Sequence, residues 1–276
     1  MTVLRHASIG ARRRALVLQH LPVEHPGSVG VRLRAAGFDL ETAELDEGDA
    51  VPDLERFDLL VAMGGPMDVW DEESHPWLIG EKEAIRRWVR ELRRPFLGVC
   101  LGHQLLAAAL GGDVGPMEAP EVGVRPVFLT DAAADDPLVG QLPSTVRALQ
   151  WHGAEVRRLP EDATLLATNT ACKVQSFRAG ACAWGIQFHV EVEPTTVTEW
   201  SSVPEYRQAL ALSSVGTAEQ LEAAVAESIE HMDTVSAVLT DHLVGIVTGT
   251  SVGIVARMAG PSPHPDGRVE AAWEPS

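Results

Sequence analysis

The sequence predicts an α/β protein: a flavodoxin-like open sheet with a parallel core, an antiparallel extension and a C-terminal helical appendage. Three observations predict it. From Ala15 to Leu110, short apolar runs alternate with amphipathic segments, the pattern of a doubly wound sheet. From Val122 to Phe188 the apolar runs are short, separated by Gly, Pro and Asp, with little helical spacing between them, which reads as antiparallel or mixed pairing. Beyond Thr217, apolar residues return at three- and four-residue steps, the stripe of an amphipathic helix.

Residues 1–14 carry Arg5, Arg12, Arg13 and Arg14 and read as a flexible basic arm. The run 15–19 (ALVLQ) is the first buried strand. A helix over 28–36 stops before Gly37, a second strand spans 38–45, and a third, 57–63, delivers Gly64 and Gly65. Within 74–93, Leu78, Ile85 and Val89 share one helical face, with charges opposite. A fourth strand over 95–99 leads into a helix over 101–110. Later strands are expected at 122–129, 146–150, 164–168, 173–177 and 182–188, then a helix starting at 194–200. Thr217-Ala218-Glu219-Gln220 is a capping box. It opens a helix whose stripe is Leu221, Val225, Ile229, Met232, Val235, Leu239 and Leu243, expected to pack on its own domain. Residues 248–276 have no period and several prolines and are expected to form a disordered tail.

The chemistry gathers where the fourth strand ends. In Gly98-Val99-Cys100-Leu101-Gly102, glycines stand two residues before and two after a cysteine, the G-x-C-x-G form of a sharp strand-to-helix turn. Such a turn puts Cys100 at the amino end of a helix, where unpaired amides and the helix dipole favour a thiolate. The same amides can face an oxyanion. Taken alone, the stretch fits a buried structural cysteine equally well. Two further segments weigh against that. In Gln187-Phe188-His189-Val190-Glu191, two residues apart in an extended segment, the imidazole and carboxylate share a face, so the carboxylate can orient the ring. Met63-Gly64-Gly65-Pro66-Met67 breaks a strand with paired glycines able to present backbone amides.

Together these segments resemble the class I glutamine amidotransferases, with the nearest likeness to free-standing members similar to the glutaminase domain of GMP synthetase. Asp71-Glu72, His75-Pro76-Trp77-Leu78, Trp151-His152-Gly153 and Gln175-Ser176-Phe177 add to the resemblance, which covers residues 15–202 as one amidotransferase domain and leaves 203–247 as the helical appendage. The resemblance implies a cysteine amidase that cleaves the side-chain amide of glutamine, or a related γ-glutamyl amide, through a glutamyl thioester. Cys100 would be the nucleophile, His189 the base and acid, and Glu191 the residue that holds the imidazole. It further implies an oxyanion hole from the backbone of Gly65 and Leu101, and a substrate site from Gly64, Gln104, Trp151, His152, Gly153 and Ala154. Val190 replaces the proline common between the catalytic His and Glu. Ala154 stands where many relatives have aspartate; if that position contributes mainly backbone, catalysis survives, and if the carboxylate selects the substrate's amino group, a substrate other than glutamine is implied. A γ-glutamyl peptide or amine hydrolase and a non-catalytic regulatory subunit remain alternatives.

Composition sets the outer bounds. A net charge of −17 and a pI near 4.9 argue against a nucleic-acid or anionic-membrane surface. Cys100, Cys172 and Cys182 form an odd set without metal-ligand spacing, which suits a reducing, cytoplasmic setting. The histidines show no metal-like grouping, and no Walker loop or dinucleotide fingerprint appears, so no metal and no cofactor is expected. No synthetase domain is evident either, so any ammonia acceptor is expected on a separate chain. The paired glycines at 64 and 65 can adopt several conformations, and the helix over 217–243 is expected to pack nearby and hold that loop ready.

Overall fold

The computed structural model describes residues 12–250. The outer parts of the basic arm (residues 1–11) and of the expected tail (residues 251–276) lie outside the described residues. β1 (Arg14–Gln19) is flanked by β2 (Asp39–Glu44) and β3 (Leu59–Ala62), and β3 by β4 (Phe96–Val99), all in parallel. β9 (Ala183–Ile186) returns from far along the chain to pair in parallel with β4. Beyond it β8 (Ser176–Ala179), β7 (Ala163–Thr168), β5 (Asp113–Leu129) and β6 (Thr145–Arg158) continue antiparallel. The order is β2-β1-β3-β4-β9-β8-β7-β5-β6. The chain therefore has the mixed α/β architecture with a parallel core and antiparallel extension that its sequence predicts.

Strand alternation sorts the core into two layers. Leu16, Leu18, Leu60, Ala62 and Phe96 face one way and pack under α2 (Trp77–Arg87) and α3 (Leu101–Ala109). Ala15, Val17, Leu59, Val61 and Leu97 face the other way, under α1 (Gly27–Ala35), α4 (Thr196–Trp200), α5 (Pro204–Leu212) and α6 (Ala218–Thr248). Burial on both faces explains why these strands read as unbroken apolar runs. Their carboxyl ends deliver His20, Gly64 and Cys100 to one edge of the sheet, where ligands bind in open α/β folds.

Several boundaries differ from the sequence reading. The runs 122–129 and 146–150 are parts of a long two-stranded ribbon, β5 and β6, and Pro116, Gly123 and Pro126 lie within it rather than in turns. The ribbon tolerates them because most of β5 pairs only with β6, the edge strand, and the register shifts between Pro116 and Glu121. The strand expected at 173–177 forms later, at Ser176, and the one expected to reach 188 ends at Ile186. There the chain leaves the sheet, and His189 makes an isolated bridge to Leu149 of β6. The helix expected over 74–93 starts at Trp77 and widens into a π-turn over Trp88–Leu92.

The capping box forms as read: the Thr217 hydroxyl accepts from the Gln220 amide, and the Gln220 side chain accepts from the Thr217 amide. The helix it opens runs on to Thr248 and ends at Gly249, φ 69°. Leu221, Val225, Met232, Val235, Leu239 and Leu243 are all buried against the same core as β1 and α1. Ser28 Oγ meets Ser236 Oγ at 2.7 Å, and Arg32 pairs with Asp233 at 2.6 Å. α6 thus closes one face of the sheet. The contact with the Gly64–Gly65 loop expected of it comes instead from the shorter α5, through Tyr206 and Glu24.

Candidate active site

Cys100 sits at the junction of β4 and α3 with φ 51° and ψ −103°, a conformation costly for a residue with a Cβ and found where a side chain must be presented at a sharp turn. The flanking glycines make the turn possible. A Cβ on Gly98 would lie 2.4 Å from the Gly102 carbonyl oxygen, and one on Gly102 would lie 2.1 Å from that of Ala62. The Cys100 amide donates to Ile186 O at 2.8 Å, and the Gly102 amide to Met63 O at 3.0 Å, tying the elbow to the ends of β9 and β3.

His189 lies close enough to Cys100 for the sulfur to help raise the imidazole's pKa. Its backbone is pinned to β6 through reciprocal bonds with Leu149 at 2.8 and 3.2 Å. Its Nδ1–H donates to Glu191 Oε1 at 2.6 Å, which leaves Nε2 for the thiol. Glu191 is fixed in turn by the Val190 amide at 2.9 Å. Val190 itself is buried in the core, away from the site. Burial opposes a charged imidazole, yet the Glu191 carboxylate and the Cys100 sulfur outweigh it and hold the His189 pKa well above its ordinary value. Trp200 packs edge-on against the ring, centroids 4.6 Å apart.

A cavity of about 340 Å³ opens over Cys100. Gly65, Gln104, Trp151, His152, Gly153 and Ala154 line it together with Asp68, Glu205, Tyr206 and Gln208, whereas Gly64 and Leu101 are not among its lining residues. Gln104 directs its amide hydrogens into the protein, to Ala154 O and Gln187 Oε1, each at 3.1 Å. His152 has both nitrogens occupied. Nδ1–H donates to Ala154 O at 2.9 Å, and Nε2 lies 3.2 Å from both Gln150 Oε1 and Glu121 Oε2. The imidazole therefore braces the pocket wall.

Sequence reasoning missed several groups. Glu121 stands directly opposite His152 across the β5–β6 ribbon, a pairing hidden until the strand register is known. Gln187 donates to Cys100 Sγ at 3.5 Å, although it lies inside a motif already singled out. His20, read only as ungrouped, is fully buried; it donates to Gly64 O at 2.8 Å and pairs with Glu81 at 2.9 Å. Burial alone would lower its pKa, but Glu81 and the two hydrogen bonds raise it. Glu24, also buried, accepts a hydrogen bond from the Tyr206 hydroxyl. Its pKa is raised to about 7 by burial, against the opposing pull of His189. A glutamate five residues past a strand carries no periodic signal, and only the fold brings it to the site.

A model of the family described as glutamine amidotransferase class-I matches residues 27–200. The chain belongs to the class I glutamine amidotransferases. It is 38% identical over 145 residues to one chain of the glutamine-hydrolyzing GMP synthase of Ignicoccus hospitalis, covering 52% of this chain and 72% of that one. It is 30% identical over 145 residues to gamma-glutamyl peptidase 3 of Arabidopsis thaliana, covering 50% of this chain and 56% of that one. A crystal structure of a glutamine amidotransferase from Thermotoga maritima superposes with a TM-score of 0.76 at 26% identity, over 85% of this chain and 99% of that one.

In this amidotransferase Cys172, Cys182 and His103 do not line the cavity over Cys100. Burial pushes Cys172 up to about 12, also raises the Cys182 pKa, and pushes His103 down to about 3. His103 packs against Phe177 beneath the sheet, ring centroids 5.0 Å apart. Among the described residues no group of three His, Cys, Asp or Glu could hold a metal ion. No described helix is long and apolar enough to cross a membrane.

Proposed function

We propose that the chain hydrolyses the side-chain amide of glutamine, or a closely related γ-glutamyl amide, with Cys100, His189 and Glu191 as its triad. The observation that carries this reading is the Cys100–His189–Glu191 alignment, with the imidazole's second nitrogen taken by a carboxylate at 2.6 Å. Cys100 Sγ, as a thiolate, attacks the amide carbonyl carbon; the C–S bond forms and the π pair moves to oxygen, which faces the Gly65 and Leu101 amides. Collapse breaks the C–N bond while His189 gives its Nε2 proton to the leaving nitrogen. His189 then takes a proton from water, the hydroxide attacks the glutamyl thioester, and the C–S bond breaks to restore the thiolate. Gln104 and the 151–154 segment form the wall that receives the substrate's amino-acid end. A relative that is one chain of a glutamine-hydrolysing synthase supports a separate synthetase chain as ammonia acceptor.

A second reading, hydrolysis of γ-glutamyl peptides or amines, is favoured by one feature. The cavity is in the size range of small-molecule sites, and its rim of Glu205 and Gln208 from α5 extends past the thiol, with room for a leaving group larger than ammonia. Incubating the protein with glutamine and a series of γ-glutamyl peptides and amines, and measuring ammonia or amine released, separates the two. Release from none of them, together with no labelling of Cys100 by a glutamine-like chloroketone, sinks both.

A further inference from the structure

We propose that Glu24 and Tyr206 are positioning residues that clasp the Gly64–Gly65 loop with its Gly65 amide aimed at the oxyanion, so that the chain hydrolyses its amide substrate without a second protein to align the site. The inference rests on the amidase reading above. Paired glycines leave a loop free to turn its amides several ways. If the productive orientation were populated at about 1%, turnover would fall about a hundredfold.

Here Gly64 is gripped from two sides. His20 Nδ1–H donates to its carbonyl at 2.8 Å, while His20 is held by Glu81 of α2 at 2.9 Å and stacked on Trp77, ring centroids 5.4 Å apart at 8°. On the other side stands the Glu24 carboxyl: a Cβ added to Gly64 would lie 2.4 Å from Glu24 Oε2. That oxygen is buried and has no hydrogen-bond partner among the described residues, an expensive placement for a polar atom. Oε1 accepts from the Tyr206 hydroxyl, and Tyr206 is anchored where Trp151 Nε1–H donates to its carbonyl at 3.1 Å. Trp200 Nε1–H donates to Val23 O at 3.0 Å, holding the loop that carries Glu24. Tyr206 lies on α5, outside the residues matched by the family model. The helix that shapes the pocket rim thereby also sets the oxyanion loop.

The test compares wild type, Tyr206→Phe, Glu24→Ala and Glu24→Gln on the best γ-glutamyl substrate, reading kcat and KM. It adds the rate of Cys100 alkylation by iodoacetamide, a displacement at saturated carbon that forms no oxyanion. We expect kcat to fall about tenfold in Tyr206→Phe and about a hundredfold in Glu24→Ala, with KM and alkylation changed less than about twofold. Glu24→Gln, which still accepts from Tyr206, restores most of kcat. Unchanged kcat in both Tyr206→Phe and Glu24→Ala, or alkylation falling in step with kcat, overturns the proposal. Tyr206→Phe removes one oxygen and decides the matter if Glu24→Ala does not fold. A wild type that releases nothing, yet is labelled at Cys100 by a glutamine-like chloroketone, overturns self-sufficiency while leaving the amidase reading intact. Failure of both release and labelling removes the amidase reading as well.

Discussion

At the scale of single residues, the three thiols occupy different environments. Cys100 shares its surroundings with an imidazole held in its charged form, whereas burial raises the pKa of Cys172 and Cys182. A glutamine-like electrophile is therefore expected to label Cys100 and spare the other two, as peptide mapping would report. Even labelling of all three would contradict it. Glu24 gives a second prediction, in pH. Its folded pKa, raised to about 7 by burial among His189, Tyr206, Glu191 and His20, lies above the unfolded value. The stability linked to this group is thus complete below the unfolded pKa and lost as pH rises through about 7. Glu24→Gln cannot titrate. Its loss of unfolding free energy between pH 5 and pH 8, read by urea denaturation, should be smaller than that of wild type by up to about 3 kcal/mol. His189, also raised, loses its contribution in a higher window, so equal slopes in the two proteins would refute the assignment to Glu24.

Among elements, the turn at Cys100 and the long helix were the most legible. Two glycines around one cysteine specify close backbone approach, and the structure supplies the partners, the carbonyls of Gly102 and Ala62. Gly102→Ala drives a Cβ onto backbone that cannot swing aside, so we expect a loss of about 1–3 kcal/mol or more by thermal or urea denaturation. In α6 the capping box and apolar stripe were readable because both are local. Thr217→Ala is expected to cost about 1 kcal/mol and Met232→Ala about 2–5 kcal/mol in the same assay. The ribbon of β5 and β6 was less legible. Its prolines and glycines are turn signals in most contexts, and only an edge position excuses them. α5 was read merely as part of the 203–247 appendage, because a helix of 9 residues offers little more than two turns of pattern.

For the whole molecule, the surprise is how much of the site depends on parts of the chain far from the motifs. The proposed triad and the glycine loop rest on local spacing, which is why Cys100, His189 and Glu191 stand out in the sequence. Glu24 and His20, Tyr206, Glu81 and Glu121 come from four separate segments, and their meeting depends on strand order and helix docking that no local pattern encodes. The same dependence changes what truncation can show. Removing residues 214–276 takes away α6 with Leu221, Met232 and Leu243 and uncovers the core residues of α1, β5 and β6 that it packs against, so the shortened chain is expected to lose cooperative melting rather than report on catalysis. Retained cooperative melting would mean that α6 contributes little to the core.

The central claim, that Cys100 performs covalent amide hydrolysis, is tested most directly by comparing wild type with Cys100→Ala on whichever γ-glutamyl amide the wild type turns over. The account predicts that the variant melts within a few degrees of wild type and releases ammonia or amine at least about a thousandfold more slowly. Release by the folded variant at a rate near that of wild type would contradict it.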